Sequence, residues 1–116
     1  MPETLRPRER IKKQKDFIAL YKKGKRYKGK YFILIYCPNE FNFSRFAVVA
    51  SKKTGDAIKR NRIKRRIRVL FRQNKHLLII SMDLIVIAKA EIYNSPWMEL
   101  QEEYLKAIRI IIQKHR

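Results

Sequence analysis

Apolar residues recur at helical spacing near the start of the 116-residue chain. Phe17, Leu20 and Tyr21 lie three and four positions apart, which places them on one side of a helix. Gly24 follows where a helix commonly ends. This pattern predicts a first helix over residues 13–23.

Two stretches rich in β-branched and aromatic residues follow, at residues 31–37 (YFILIYC) and 45–51 (RFAVVAS). Such composition favours strands. Residues 39–44 are typical of a hairpin loop, so we expect the two strands to pair antiparallel. The basic residues 25–30 that precede the first strand are predicted to form a connector.

The middle of the chain carries a second helical pattern. Its apolar residues occupy positions i, i+4, i+7 and i+8 of one stripe: Ile63, Ile67, Leu70 and Phe71. Asp56 is the predicted N-cap, because its carboxylate can accept hydrogen bonds from the free N–H groups of the first turn. The helix is predicted to end near Asn74. The near-continuous apolar run 82–88 (MDLIVIA) is then typical of a central strand.

The last helix is predicted to begin with Ser95 as its N-cap and Pro96 at its first position, where the missing N–H is not needed. Its core-facing stripe comprises Leu100, Tyr104, Ala107, Ile108 and Ile111. Residues 1–12 are basic, with two prolines, and we expect them to be extended or mobile. The order α-β-β(-β)-α-β-α predicts a single α+β domain over residues 1–116, a sandwich of helices on a small mixed sheet.

The charge of the chain indicates that this predicted domain binds a partner. The formal net charge is +19, and residues 59–72 hold eight of the 29 Lys and Arg. The hydrophobic fraction of 46% is too high for a disordered basic chain. An array of cations on one side of a helix most commonly binds a phosphate backbone. Nucleic acid is therefore the expected partner, with an anionic membrane surface as the competing interpretation.

Aromatic side chains add to the binding chemistry. Between residues 17 and 36 they alternate with Lys and Arg, a combination typical of platforms for single-stranded nucleic acid. In the first strand Tyr31, Ile33 and Ile35 point to one side and Phe32, with its alternate neighbours, to the other. Helices cannot cover both sides fully, so one set is expected to line a cleft. The alternation does not say which.

Catalytic and metal-binding constellations are absent from the sequence. Cys37 is the only cysteine, and His76 and His115 lie far apart in the chain. The acidic residues are scattered, whereas a metal-dependent nuclease needs several carboxylates that converge on Mg²⁺. We therefore expect no catalytic residue and no metal site in the protein itself. No apolar run is long enough to span a bilayer or to form a secretory signal, and we expect a cytoplasmic protein.

The stretch SKKTGDAIKRNRIKRRIR, residues 51–68, closely resembles the signature of the bacterial ribonuclease P protein component. Residues 15–24, 32–36 and 83–88 resemble other parts of that family in the same order. The resemblance implies a left-handed β-α-β crossover around the basic helix. It also implies an endoribonuclease in which the protein joins a catalytic RNA that removes the 5′ leader of precursor tRNA. The RNA and Mg²⁺ would perform the hydrolysis, with no cofactor bound by the protein alone.

The resemblance also implies two RNA-binding regions. Contact with the catalytic RNA would come from Lys52, Lys53, Arg60, Asn61, Arg62, Lys64, Arg65 and Arg68. A central cleft for the precursor tRNA leader would contain Phe17, Tyr21, Phe32 and Ile35. Asp56 stands where the family often has Asn, which puts an anion near the RNA.

Other classes of function remain as alternatives. A ribosomal or other structural RNA-binding protein would share the same electrostatics but would have no role in tRNA processing. A helix-turn-helix DNA-binding protein fits the strand-rich surroundings of the basic helix poorly. A self-sufficient nuclease lacks the carboxylates, and neither DNA nor a membrane is an expected partner.

Overall fold

The computed structural model describes residues 7–115 and has an α+β architecture. Its main elements are α1 (Gln14–Lys23), β1 (Lys25–Lys28), β2 (Phe32–Pro38), β3 (Arg45–Val49), α2 (Ala57–Asn74), β4 (Met82–Ala88) and α3 (Trp97–Lys114). Short 3-10 turns lie at Pro7–Glu9, Lys52–Thr54, Lys75–Leu77 and Ala90–Asn94. The predicted order is confirmed, with the optional third strand present.

The four strands form one mixed sheet in the order β1-β2-β4-β3. β4 is antiparallel to β2 and parallel to β3, so α2 connects two adjacent parallel strands. The predicted hairpin between β2 and β3 is wrong, because β4 lies between them. The left hand implied for the β3-α2-β4 crossover stays a prediction.

β1 is the strand that was predicted to be a connector. Residues 25–28 pair antiparallel with β2, from Lys25 opposite Tyr36 to Lys28 opposite Ile33. Lysine is common on edge strands, where it discourages pairing with another chain. The polar sequence KRYK therefore fits an edge strand, although it carries little of the apolar signal used to find strands.

α2 and α3 cover one face of the sheet and form the larger core with it. The α2 stripe is buried as predicted, with Ile63, Ile67, Leu70 and Phe71 each no more than 1% exposed. The ring of Phe71 stacks on that of Phe46 in β3, with 4.5 Å between centroids. The α3 stripe is buried in the same core. These contacts hold α2 by one side and leave its opposite side outside.

The other face of the sheet is covered less completely. Leu20 of α1 and Ile11 form a small cluster there with Ile35 and Ile85. Gly24 ends α1 as predicted, with an extended backbone rather than a positive φ. Glycine fits this position because there is no room for a side chain: a Cβ there would lie 2.6 Å from Cγ2 of Ile35.

The predicted N-cap of α2 is confirmed, whereas the predicted N-cap of α3 is wrong. Asp56 caps α2, since its Oδ1 accepts a hydrogen bond from the Lys59 N–H at 2.9 Å. The prediction for Ser95 is wrong: its hydroxyl donates to the Ile92 carbonyl at 2.7 Å, and α3 begins at Trp97. Pro96 is thus the N-cap and not the first helical residue.

Part of the N-terminal segment is anchored to the sheet. Arg10 forms a bridge with Phe46 beside β3, and Ile11 is buried. Glu9 is also buried and pairs with Lys75, with 3.1 Å between Oε2 and Nζ. From Glu9 to Ile11 the chain is therefore held against the sheet rather than mobile, and the bridge at Arg10 is compatible with the extended conformation that was the other half of the prediction. Residues 1–6 of the predicted segment lie outside the described residues.

Candidate nucleic-acid interface

The outer side of α2 carries Asn61 and Arg65, both exposed. Helical geometry places them opposite the buried stripe. No basic side chain of α2 forms an ion pair with an acid in the part of the chain that the structure describes. Among residues 7–115, the guanidinium and ammonium groups of α2 are therefore not neutralised by an acid, and groups of this kind can bind phosphate.

One flank of α2, formed by Arg60, Lys64 and Arg68, is continuous with the anchored N-terminal segment. The pKa of Arg68 is lowered, first by burial and second by the positive charge of Arg10. Arg10 is thus close enough to extend the basic surface, and sequence patterning missed it. Arg60 is partly buried, and its Nε has no hydrogen-bond partner among residues 7–115.

The other flank of α2, which we name the aromatic flank, consists of Lys59, Arg62 and Arg66 with Tyr93 and Trp97. Arg62 Nη1 donates to the Tyr93 hydroxyl at 3.3 Å, and Lys59 Nζ lies 5.0 Å from that ring's centroid. Arg66 Cζ lies 5.5 Å from the Trp97 ring centroid. The residues predicted to contact the catalytic RNA therefore lie on both flanks of α2, with Arg62 on the aromatic flank and Arg60 on the other. Sequence patterning missed both aromatic residues because neither lies near the basic helix in the chain.

Lys52 and Lys53 form an exposed 3-10 turn just before α2. Ser51 Oγ accepts a hydrogen bond from the Lys53 N–H at 3.3 Å. Gly55 then has a φ of 135°, a conformation that side-chain-bearing residues rarely adopt, and this allows the chain to turn into α2. Both lysines lie next to the N-terminal end of the basic helix, as predicted.

The four residues predicted for the leader cleft do not share one face of the sheet. Ile35 is fully buried beneath α1, and Phe17 packs against the same cluster while remaining partly exposed. Tyr21, one helical turn after Phe17, is 37% exposed. Phe32 is 1% exposed in the larger core on the opposite face. Its placement in the cleft is wrong, because residues an odd number of positions apart in a strand point to opposite faces.

The face of the sheet that carries α1, where the predicted cleft would lie, is aliphatic rather than aromatic. Ile33 lies opposite Ile87, and Ile87 opposite Val49, so the three form a row across the face that carries α1. All three are partly exposed. Neither aromatic set of the strand region lines the cleft, since Tyr31 also packs in the larger core. The rings available there come from α1.

Basic side chains border this face at the β1 edge. Arg26 lies opposite Ile35 and Lys28 opposite Ile33, which places both cations on the cleft face. Both are exposed. At the other end of the face, Arg45 Nη2 binds Asp83 Oδ2 at 2.6 Å, and Nη1 lies 3.4 Å from Asp16 Oδ2. In the part of the chain that the structure describes, the positive charge without an acidic partner on this face therefore lies at the β1 end.

Among residues 7–115, no three His, Cys, Asp or Glu side chains come together in a group that could hold a metal ion. None of the described helices is both long and apolar enough to cross a membrane.

Comparison with known proteins agrees with this geometry. Residues 5–111 match the model of the family described as ribonuclease P. The chain belongs to the ribonuclease P protein family. It is the protein component of an endoribonuclease, and an RNA is its partner in that ribonucleoprotein. The comparisons give no support to the alternative of a ribosomal protein.

Individual relatives extend over most of the chain. The ribonuclease P protein component of Syntrophus aciditrophicus is 38% identical over 100 residues, 86% of this chain and 84% of that protein. The RNase P protein of Staphylococcus aureus superimposes with a TM-score of 0.81 at 36% identity, covering 89% and 94% of the two chains. The Thermotoga maritima protein gives 0.78 at 30% identity, covering 86% and 94%.

Proposed function

We propose that the protein uses two separate surfaces in ribonuclease P. The outer side of α2 binds the catalytic RNA, and the cleft beside α1 holds the single-stranded 5′ leader of precursor tRNA. The proposal is supported above all by the basic helix, whose cations have no acidic partner among the described residues. A polyphosphate backbone supplies the missing negative charge.

The division of labour follows from the side chains. The described residues provide cations and rings but no group of carboxylates that could hold a metal ion, which supports hydrolysis by the RNA and by Mg²⁺ bound in the ribonucleoprotein. By placing positive charge beside the leader, the protein lowers the Mg²⁺ concentration that cleavage requires. The reaction takes place in the cytoplasm.

Reconstitution tests the function directly. The protein is mixed with a bacterial ribonuclease P RNA and a precursor tRNA at low Mg²⁺, and cleavage at the mature 5′ end is followed. We expect the mixture to cleave faster than the RNA alone, and the protein alone to leave the substrate intact. Chelator-sensitive cleavage by RNA-free protein would contradict the assignment of catalysis to the RNA.

Arg65→Ala tests the helix. Arg65 is exposed and lies away from the buried stripe, so its loss should weaken binding to the catalytic RNA without unfolding the protein. One lost phosphate contact should flatten the slope of log affinity against log salt by about 0.7–0.9. Arg109→Ala removes the same charge from an exposed position on α3 and is the control. Equal slopes in the two variants would place the RNA elsewhere.

Tyr21→Leu and Phe17→Leu test the cleft. Leucine keeps apolar volume on α1 but removes the ring on which a base can stack. We expect binding of precursor tRNA to the reconstituted complex to weaken by about 1 kcal/mol for each variant, the low end of the stacking range. Mature tRNA lacks the leader and should bind as it does to the unaltered complex. Equal losses for both RNAs would show that the rings do not contact the leader.

A further inference from the structure

Arg62 is the one member of the aromatic flank that belongs to the predicted contacts with the catalytic RNA, and the proposed function makes no use of the two rings beside it. The aromatic flank lies on the opposite side of the helix from Arg10 and Arg68. Its guanidinium groups are held in place, since Arg66 Nη2 also donates to the Ser95 carbonyl oxygen at 2.9 Å. Cations and rings are thus ordered together before any ligand binds.

The rings of the aromatic flank differ in what they expose. Tyr93 is partly buried against the larger core, whereas Trp97 is 37% exposed at the start of α3. Arg66 lies against the Trp97 ring, and the neighbouring Met98 is 71% exposed. An indole that has a guanidinium beside it and remains partly open to solvent can accept a nucleobase by stacking.

Charge around Trp97 favours a nucleic acid over other aromatic ligands. Lys59, Arg62 and Arg66 have no ion-pair partner among residues 7–115. Of the acids nearest in the chain, Asp56 caps α2, Glu99 lies 3.6 Å from Lys30 Nζ, and Glu91 is exposed and forms no ion pair with a cation of this flank among residues 7–115. The cations can therefore hold phosphates on either side of a stacked base.

We infer that the aromatic flank is a second RNA-binding site, in which an unpaired base of the catalytic RNA stacks on Trp97 while Arg62 and Arg66 bind the adjoining phosphates. The inference rests on the proposed function only in the choice of RNA. It adds a base contact, made by Trp97 at the start of α3, beside the cations of α2.

Fluorescence provides a direct test, because Trp97 is the only tryptophan of the chain. The full-length protein is titrated with a bacterial ribonuclease P RNA, with a single-stranded RNA oligonucleotide and with inorganic polyphosphate. Stacking should quench the tryptophan emission with both RNAs. Polyphosphate carries the charge without bases and should leave most of the emission unchanged.

A pair of variants separates stacking from general loss of surface. Trp97→Leu should weaken binding of the catalytic RNA roughly 5- to 150-fold, the range expected for one stacked base. Phe41→Leu is the control: Phe41 is 49% exposed and has Arg45 4.7 Å from its centroid, but that arginine is neutralised by Asp83 and Asp16. It should bind as the unaltered protein does. Thermal melts of both variants check that the fold is retained.

Each result decides the inference. Binding of the catalytic RNA with no quenching, or with equal quenching by polyphosphate, would overturn it, as would equal affinities of Trp97→Leu and Phe41→Leu. A reconstituted complex that cleaves precursor tRNA while Trp97 stays unquenched would retain the proposed function and reject the second site. Quenching by RNA without any stimulation of cleavage would retain the site and reject the function.

Discussion

Tyr104 places a phenol hydroxyl inside the larger core, where the residue is 1% exposed. The hydroxyl has no hydrogen-bond partner among the described residues. A buried polar group without a partner is unfavourable, because it loses its hydrogen bonds to water on folding. Burial also raises the pKa of Tyr104 above the ordinary value of 10.0, because the charged phenolate would be even less favourable in the core than the neutral phenol.

Tyr104→Phe should therefore leave the free energy of unfolding unchanged or raise it by about 1 kcal/mol in a urea melt at pH 7. Tyr31→Phe is the contrasting control, because the Tyr31 hydroxyl donates to Glu99 Oε1 at 3.3 Å and its loss should destabilise. Above pH 10 the unfolded state releases the Tyr104 proton while the folded state keeps it, so the unaltered protein loses stability as pH rises. The phenylalanine variant lacks this loss, and its advantage should grow by up to about 1.4 kcal/mol per pH unit. An equal difference at pH 8 and pH 10.5 would contradict this account.

At the same scale, the sequence predicts which positions of α2 are exposed better than it predicts which face of the sheet a residue occupies. Arg65 and Asn61 could be predicted because a helix position follows from its distance to the buried stripe. Phe32 was placed in the cleft by family resemblance, against the alternation of its own strand. Trp97 could not be found, because a contact with Arg66 across 31 positions leaves no periodic signal.

Among elements, the helices were predictable and the strand pairing was not. The cap residues and apolar stripes that locate α1 and α2 are patterns of residues close together in the chain. Strand pairing depends instead on which strand has a neighbour on both of its edges. The apolar run of β4 indicated a central strand, and a central strand must have two neighbours. β4 has β2 on one side and β3 on the other, so β2 and β3 cannot pair with each other as the predicted hairpin. β1 was missed because an edge strand can be polar.

Asp56→Asn tests how the start of α2 serves both folding and binding. Asparagine caps a helix about as well as aspartate, so stability should fall by no more than a few tenths of a kcal/mol. Loss of a negative charge beside Lys52 and Lys59 should tighten binding of the catalytic RNA about twofold to fivefold. Affinity measured at low salt and a urea melt are the two readouts.

Two further variants make that result specific. Asp56→Ala removes the cap as well as the charge and should cost about 1 kcal/mol of stability. Glu102→Gln removes the same charge from an exposed position on α3 and should leave RNA affinity unaltered. If the asparagine variant binds RNA no more tightly than Glu102→Gln does, the first turn of α2 lies away from the RNA.

On the scale of the whole molecule, the net positive charge opposes folding and favours binding of RNA. A net charge of +19 on 116 residues repels itself in the folded state. The nearby charges of Arg10 and Arg68 are a local instance of this repulsion. In the proposed function RNA relieves the repulsion at those positions, so the surface that destabilises the free protein is also the surface proposed to bind RNA.

Sodium chloride should therefore raise the melting temperature of the free protein while it weakens the complex. The Debye length falls from about 30 Å at 0.01 M salt to about 8 Å at 0.15 M, which screens the repulsion between exposed cations. Over the same range the affinity for the catalytic RNA should fall steeply, because each phosphate contact releases a bound counterion. Thermal melts and RNA titrations in one salt series measure both trends. Arg65→Ala should make both dependences less steep, whereas Tyr104→Phe, which changes no charge at pH 7, should alter neither. A melting temperature that falls as salt rises would show that ion pairs such as Arg45 with Asp83, rather than repulsion, dominate the electrostatics of the fold.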